Sequence, residues 1–421
     1  MYYFVLRLKY YIEIKLKYLT FPIFFYFFLR FKLSTKIIRF YLYSVVPKRN
    51  FLKSKKNILF LEKGVFNDEV KEVFSDEKFR LLQLNRKFTK SLSNFCFQTK
   101  VNQHNFKKVR ENKTQLKSFR NYLDKAFEGI KVNLFITFNF GSEEDEVIIH
   151  LKKLKIPSIC MHKEGLMTEG EYKDYIKILS NRIKFPGEKI LLYNQKIKEI
   201  LIKYQKHNRE NLIICGSPRF DKILKSESDK KKKNIIMFMP GLYKSLPSQL
   251  GIKSEMSWKL LCQDFVNLVK ILSDEFHDYQ FIIKSKKRDF DIMKNILLEI
   301  NKKNIIIDTK SLAADLLLNA KFSIGFNSMA LIESICFRVP AINCMFGEAK
   351  KKEYKKYIHN YESLIKNVYS IVEAVEYLKK NLDIQLNKNI SPKNKKILDK
   401  LIGNSRGDSI IRIRREIDKI I

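Results

Sequence analysis

The sequence predicts an α/β chain of two doubly wound domains facing a cleft, preceded by a basic, aromatic N-terminal extension. Three observations carry that expectation. From Asn57 onward short apolar runs alternate with amphipathic stretches, the pattern of parallel strands joined by helices. The alternation stops at a charged run, Lys225–Asn234 (KSESDKKKKN), and then restarts. The length, 421 residues, exceeds one ordinary domain and suits two with terminal extensions.

Taken in order, residues 1–54 form the extension. Its apolar run Leu19–Leu29 (LTFPIFFYFFL) is interrupted by Pro22 and bracketed by Lys15, Lys17, Arg30 and Lys32. A bilayer span needs about 20 apolar residues, and no small-residue cleavage pattern follows. Two readings stay open: an interfacial segment with aromatics at the acyl boundary and lysines on headgroups, or a helix packed on the first domain.

The first domain, 55–224, is expected to hold strands at Asn57–Leu61, Phe79–Leu84, Leu134–Phe138, Pro157–Met161, Lys189–Leu192 and Leu212–Cys215. The clearest helix is Glu143–Lys153, with Ser142 and Asp145 at capping-box spacing and an acidic first turn that complements the helix dipole. Arg86–Thr114 is polar, basic and weakly periodic, and reads as a long loop. After a linker at 225–234, the second domain, 235–385, is expected to hold strands at Ile235–Met239, Gln280–Lys284, Ile305–Asp308, Phe322–Gly325 and Ala341–Cys344. Helices are expected at Ser311–Ala320 and Ser328–Cys336, and from Ser370, where Glu373 completes a capping box. Residues 386–421 read as a helical tail.

The balance of 82 Lys and Arg against 45 Asp and Glu gives a formal charge of +37. Such a field favours anionic partners: nucleic acid, an anionic membrane or phosphorylated substrates. A lysine-rich background on solvated faces gives the same count. The six cysteines contain no Cys-x-x-Cys pair, which fits a reducing cytosol. The histidines and cysteines lack metal-ligand spacing.

Chemistry concentrates in three segments. In Ile213–Leu224 (IICGSPRFDKIL) a strand ends at Cys215, Gly216 and Pro218 make a tight turn, and a helix begins near Phe220. The turn exposes backbone amides beside Arg219, although a Gly-x-Pro turn with a salt-bridged Arg and Asp is also a common structural device. Gly216, Ser217, Pro218, Arg219, Phe220 and Asp221 resemble a segment of bacterial surface-carbohydrate proteins of the GT-B group. That group has two Rossmann-like domains facing a cleft and includes capsule biosynthesis proteins and relatives of CDP-glycerol glycerophosphotransferases and UDP-N-acetylglucosamine 2-epimerases. A second segment, LAADLLLNAKFSIGFNSMALIESICFRVPAINC, resembles the donor half of GT-B enzymes through Gly325, Phe326, Asn327 and Ser328, a helix with Glu333, and the strand after Pro340. Amides at the start of the Ser328 helix can hold a diphosphate, and Glu333 can accept hydrogen bonds from ribose hydroxyls. Without a ligand, Ser328 is a plain N-cap and Glu333 a polar residue on a packed helix. Pro240 and Gly241 make a further turn, which in GT-B proteins often faces the donor phosphates.

The third segment is MHKEGL, after the strand Pro157–Met161. Glu164 or His162 there can deprotonate an acceptor hydroxyl if its pKa is tuned near neutral; either can equally cap the next helix. Two departures from the resemblance narrow the reaction. Where relatives carry Arg/Lys-x-His-Pro, this chain reads IIKSKKRDF, keeping Lys284 without the His-Pro, and the His-Gly segment is replaced by His162-Lys163-Glu164-Gly165. The acidic and histidine constellation of an epimerase is not traceable.

The resemblance implies a metal-independent glycosyltransferase for surface polysaccharide, with no bound cofactor and a UDP-, GDP- or CMP/CDP-linked sugar as substrate. The first domain would take a glycan or lipid-linked acceptor and the second the donor. Arg219, Lys284 and the Ser328 helix would stabilise the departing nucleoside diphosphate. The expected place is the cytoplasm, peripheral at the inner face of the membrane. A phosphotransferase or epimerase on the same fold is one alternative. A nucleic-acid-binding protein is another, but no binding module is recognisable and the lysines are not interleaved with aromatics on one element, so no nucleic-acid partner is expected.

Overall fold

The computed structural model describes residues 8–9, 11–13, 15–16, 43–46, 56–64, 66–102, 105–162, 165–226, 233–240, 259–285, 300, 302–382 and 390–421. The aromatic run Leu19–Leu29, Glu164, Gly241 and linker residues 227–232 lie outside the described residues. The chain divides into two compact units, one of Met1–Gly165, Ile176–Pro218 and Asp408–Ile421, the other of Leu166–Tyr175 and Arg219–Gly407.

The first unit is built on a seven-stranded sheet. Its strands are β1 (Tyr43–Val45), β2 (Lys56–Leu61), β3 (Phe79–Leu84), β4 (Leu134–Thr137), β5 (Ser158–Met161), β6 (Lys189–Leu192) and β7 (Leu212–Ile214), in the order β1-β3-β2-β4-β5-β6-β7. All neighbours are parallel except the edge strand β1, which runs antiparallel to β3. Every residue of β4 and β5 is buried, as expected of strands covered on both faces, where the sequence becomes a continuous apolar run. Ile58, Phe60, Leu134 and Ile136 share a core with Val70 and Val73 of helix Phe66–Val73 and with Ile413 and Ile417. The last two belong to helix Ser409–Asp418, so the expected helical tail is shared: Pro392–Ile402 goes to the second unit and Ser409–Asp418 to the first.

Arg86–Thr114 is not a loop. It forms helices Arg86–Cys96 and Phe106–Val109 and the start of Lys113–Phe127. Few apolar residues suffice because most are buried: Phe88, Leu92, Phe106, Phe119 and Leu123 lie inside, and Phe95 stays exposed. The caps are asparagines, with Asn85 Oδ1 accepting from Phe88 N (3.2 Å) and Asn112 Oδ1 from Gln115 N (3.1 Å). The expected capping box at Glu143–Lys153 is also revised. Ser142 makes no side-chain cap; Asp145 reaches one residue further back and accepts from Gly141 N at 2.8 Å.

The second unit holds a six-stranded sheet of β8 (Asn234–Phe238), β9 (Gln280–Lys284), β10 (Ile305–Asp308), β11 (Ala320–Gly325), β12 (Ala341–Cys344) and β13 (Lys366–Val368). The order is β10-β9-β8-β11-β12-β13 and all pairs are parallel. Side-chain alternation splits β8 between two cores. Ile235 and Met237 pack with Leu261, Phe265 and Leu268 of helix Lys259–Glu275. Ile236 and Phe238 pack with Leu331 and Ile332 of helix Met329–Cys336 and with Phe220. Phe220, Ile223 and Leu224 of helix Pro218–Lys225 join that second core, which is why the division falls at Pro218/Arg219 and not in the charged run beyond it. Among the described residues no helix is long and apolar enough to cross a membrane.

Candidate functional site

In the second sheet the strand order reverses between β8 and β11, and such a switch point opens a crevice at the carboxyl ends of the two strands. The residues there are Phe238 on one side and Gly325, Phe326, Asn327 and Ser328 on the other. Gly325 sits at a close approach. A Cβ at this position would meet Leu331 Cδ2 and Phe238 Cβ, each at 3.2 Å. Asn327 has φ +50°, a left-handed conformation that asparagine tolerates better than other side-chain-bearing residues.

Asn327 is held on every side. Its backbone N donates to Asn343 Oδ1 (3.1 Å), its Nδ2 to Tyr357 O (3.0 Å), and its Oδ1 accepts from His359 N (2.8 Å). Asn343 is itself anchored by donating to Asn367 Oδ1 at 2.9 Å. Asn327 therefore shapes the turn. Ser328 caps the following helix, its hydroxyl accepting from Ala330 N at 3.2 Å, so that amide is already satisfied. Tyr361 donates its hydroxyl to Ser328 O at 3.1 Å.

Glu333, on the same helix, is half-buried. Burial raises its pKa, and the positive charge of Arg219 opposes the rise. Two residues singled out from separate sequence segments thus interact within one unit. Lys284 ends β9, next to β8, and its ammonium pairs with Asp308 Oδ1 at 3.2 Å. Asp308 also accepts from Lys310 N, Ser311 N and the Ser311 hydroxyl.

His162, Gly216 and Ser217 belong to the first unit. His162 follows β5 with its N donating to Leu191 O (2.9 Å) and its buried ring 6.0 Å from that of Phe140. Gly216 takes φ +81° and donates to Leu192 O (3.2 Å). The Ser217 hydroxyl donates to Tyr193 OH at 2.8 Å. These contacts fix the turn that leads into helix Pro218–Lys225.

Sequence reasoning missed two groups. His359 is buried beside Asn327, its Nδ1 makes no hydrogen bond, and burial pushes its pKa down to about 4. The available signal was a single histidine closing the lysine-rich stretch KKEYKKYIH. The second group is Glu143, Glu144, Asp145 and Glu146, all buried at the helix start after β4, where the first sheet reverses its order. Burial and the neighbouring Glu144 raise Glu143 to about 7. Glu146 is gripped by Arg110 Nε at 2.5 Å and Arg120 Nε at 2.8 Å. From sequence this acidic turn carries a capping-box spacing and a complement to the helix dipole, and no sign of its burial.

The fold recurs in solved structures. A UDP-GlcNAc 2-epimerase from Neisseria meningitidis, bound to UDP-GlcNAc, superposes with a TM-score of 0.52 at 11% identity, over 87% of this chain and 100% of that one. The enzyme of the same description from Methanocaldococcus jannaschii gives 0.50 at 11% identity, over 86% and 99%. The likeness establishes the GT-B-type α/β fold for this chain. No family model matches the sequence, and no curated protein does.

Proposed function

We propose that this chain is a glycosyltransferase that moves a sugar from a UDP-, GDP- or CMP/CDP-linked donor to a glycan or lipid-linked acceptor in surface polysaccharide synthesis. The observation that carries the reading is the second unit's switch point. Gly325 and the locked Asn327 turn lead there into the capped helix start at Ser328, and Arg219 acts electrostatically on Glu333 of the same helix. In the transfer, the acceptor oxygen bonds to the anomeric carbon as the bond from that carbon to the donor's phosphate oxygen breaks, and the nucleotide (UDP, GDP, CDP or CMP) leaves with the electron pair. The helix dipole and Arg219 stabilise that charge, and Lys284, once drawn from Asp308, adds to it. Glu333 receives the ribose hydroxyls. The acceptor hydroxyl loses its proton to Glu164, or to His162, after β5. The aromatic, basic extension, with Leu19–Leu29, holds the enzyme at the inner face of the membrane.

Calorimetric titration with uridine, UDP, GDP and CDP tests the donor site. Arg219→Met is expected to weaken the preferred diphosphate about tenfold and to leave its nucleoside unchanged, since a charge-assisted contact is worth about 1.5–3 kcal/mol. Glu333→Gln should weaken nucleoside and diphosphate alike. Folded variants that bind all four ligands as the parent does would remove the donor site from the second unit.

A further inference from the structure

The segment after β12 presents a row of cations. Lys350, Lys351, Lys352, Lys355 and Lys356 are all exposed. Lys350 acts electrostatically on Asp264 of helix Lys259–Glu275; the other four form no ion pair with a carboxylate among the described residues. A lysine-rich composition scatters lysines over solvated faces, but these four are set in six residues on a segment fixed at both ends. Glu348 Oε1 and Oε2 accept from Leu260 N (3.2 Å) and Leu261 N (3.0 Å), and Tyr357 O accepts from Asn327 Nδ2 (3.0 Å). Gly347–Lys350 and Lys352–Tyr357 are 3₁₀ turns, in which residues i and i+3 share a face. Tyr354 and Tyr357 therefore lie on one face, half-buried, with Tyr354 against the core. Lys352 and Lys355 stand on another, about 6 Å apart along the axis.

Strands β11 and β12 are parallel, so the row stands at the same carboxyl edge of the sheet as the Asn327 turn to which Tyr357 is bonded. Like charges held this close repel one another, and an extended anion laid along them relieves the repulsion. The exposed side chains of 350–356 are all charged, so none enters the acyl boundary of a membrane. Lys351 Nζ sits 5.9 Å from the centroid of Tyr354 and Lys356 Nζ 5.1 Å from that of Tyr357. With the rings half-buried and lysines over them, neither tyrosine offers the open face on which a base of a single-stranded nucleic acid stacks. We propose that residues 350–356 bind an anionic glycan, the acceptor chain, at the rim of the crevice. The identity of that chain as acceptor rests on the transferase reading; the binding surface does not.

The test titrates the full chain with a polygalacturonate oligomer, and with neutral dextran of the same length, at about 0.1 M salt. One variant combines Lys351→Gln, Lys352→Gln, Lys355→Gln and Lys356→Gln. A second removes the same charge from exposed lysines of the first unit, Lys113→Gln, Lys117→Gln, Lys125→Gln and Lys131→Gln. The parent is expected to bind polygalacturonate saturably and dextran not at all. The first variant should bind polygalacturonate about tenfold more weakly, the product of four exposed contacts of about twofold each, and the second as the parent does. UDP, GDP and CDP titrated into the parent report on the transferase reading separately, and the first variant should bind them unchanged. Equal weakening by both variants would assign the effect to the overall field, and loss of nucleotide affinity in the first would assign the lysines to the donor phosphates. Either result overturns the proposal. So does absence of polygalacturonate binding to the parent, or tighter binding of oligothymidylate or of phosphatidylglycerol vesicles through the same four lysines.

Discussion

Replacing Asn327 with alanine is expected to destabilise the second unit by at least about 3 kcal/mol. Each of the two lost side-chain bonds leaves a backbone group unsatisfied at about 1–3 kcal/mol, and a left-handed alanine adds about 1–2 kcal/mol. The groups orphaned are Tyr357 O and His359 N. Glycine at 327 removes the strain and keeps the hydrogen-bond loss, so Asn327→Gly should recover only the smaller part. Aspartate keeps the acceptor for His359 N and loses the donor to Tyr357 O, which places it between parent and alanine. Urea unfolding of the three variants gives the ranking directly. Equal stability of glycine and parent would show that the side-chain bonds contribute nothing.

Glu143→Gln is expected to raise stability at pH 8 by about 2–3 kcal/mol and to leave it unchanged near pH 4. The sign follows from the direction of the shift. Folding raises the Glu143 carboxyl from 4.5 to about 7, so between those values the folded chain holds a proton that the unfolded chain has released. Stability from this group is present at low pH, falls as pH rises through that window and is flat above it, at about 1.4 kcal/mol per unit. Glutamine does not titrate, and the neighbouring Glu144 then faces no like charge. Thermal unfolding of both proteins from pH 4 to 8 should show a shallower slope in the variant. Parallel curves would place the ionisation of Glu143 elsewhere.

The strands were legible as short apolar runs, which become continuous where the sheet is covered on both faces, as at β4 and β5. Phe79–Leu84, Lys189–Leu192, Gln280–Lys284, Ile305–Asp308 and Ala341–Cys344 were expected at the residues observed. Tyr43–Val45 and Lys366–Val368 escaped, since edge strands of three residues carry too few apolar positions to stand out. Helix Arg86–Cys96 escaped because its buried stripe holds few large apolar residues and its cap is an asparagine among basic residues. At Ser370 the capping was legible in part: Ser370 Oγ accepts from Glu373 N, but Glu373 reaches Tyr369 N. In the candidate site, Gly325, Asn327, Ser328, Glu333 and Arg219 were readable from local segments. The role of Asn327 was not, because its partners Asn343, Tyr357 and His359 come from sequence positions that only the sheet order makes adjacent.

Helix Ser409–Asp418 has a consequence for how the chain is made. It seals the first unit through Ile413 and Ile417, Arg414 donates to Val73 O at 2.6 Å, and Lys189 pairs with Glu416. Synthesis proceeds from the N-terminus, so the ribosome has delivered the whole of Arg219–Gly407 before this helix exists. Domains ordinarily fold in order of emergence; here the second unit is complete while the first still presents an open apolar face. Contacts separated by 341 residues must then close, and pairings so distant in sequence form slowly. During that interval the nascent first unit is the part of the protein that chaperones and aggregation compete for.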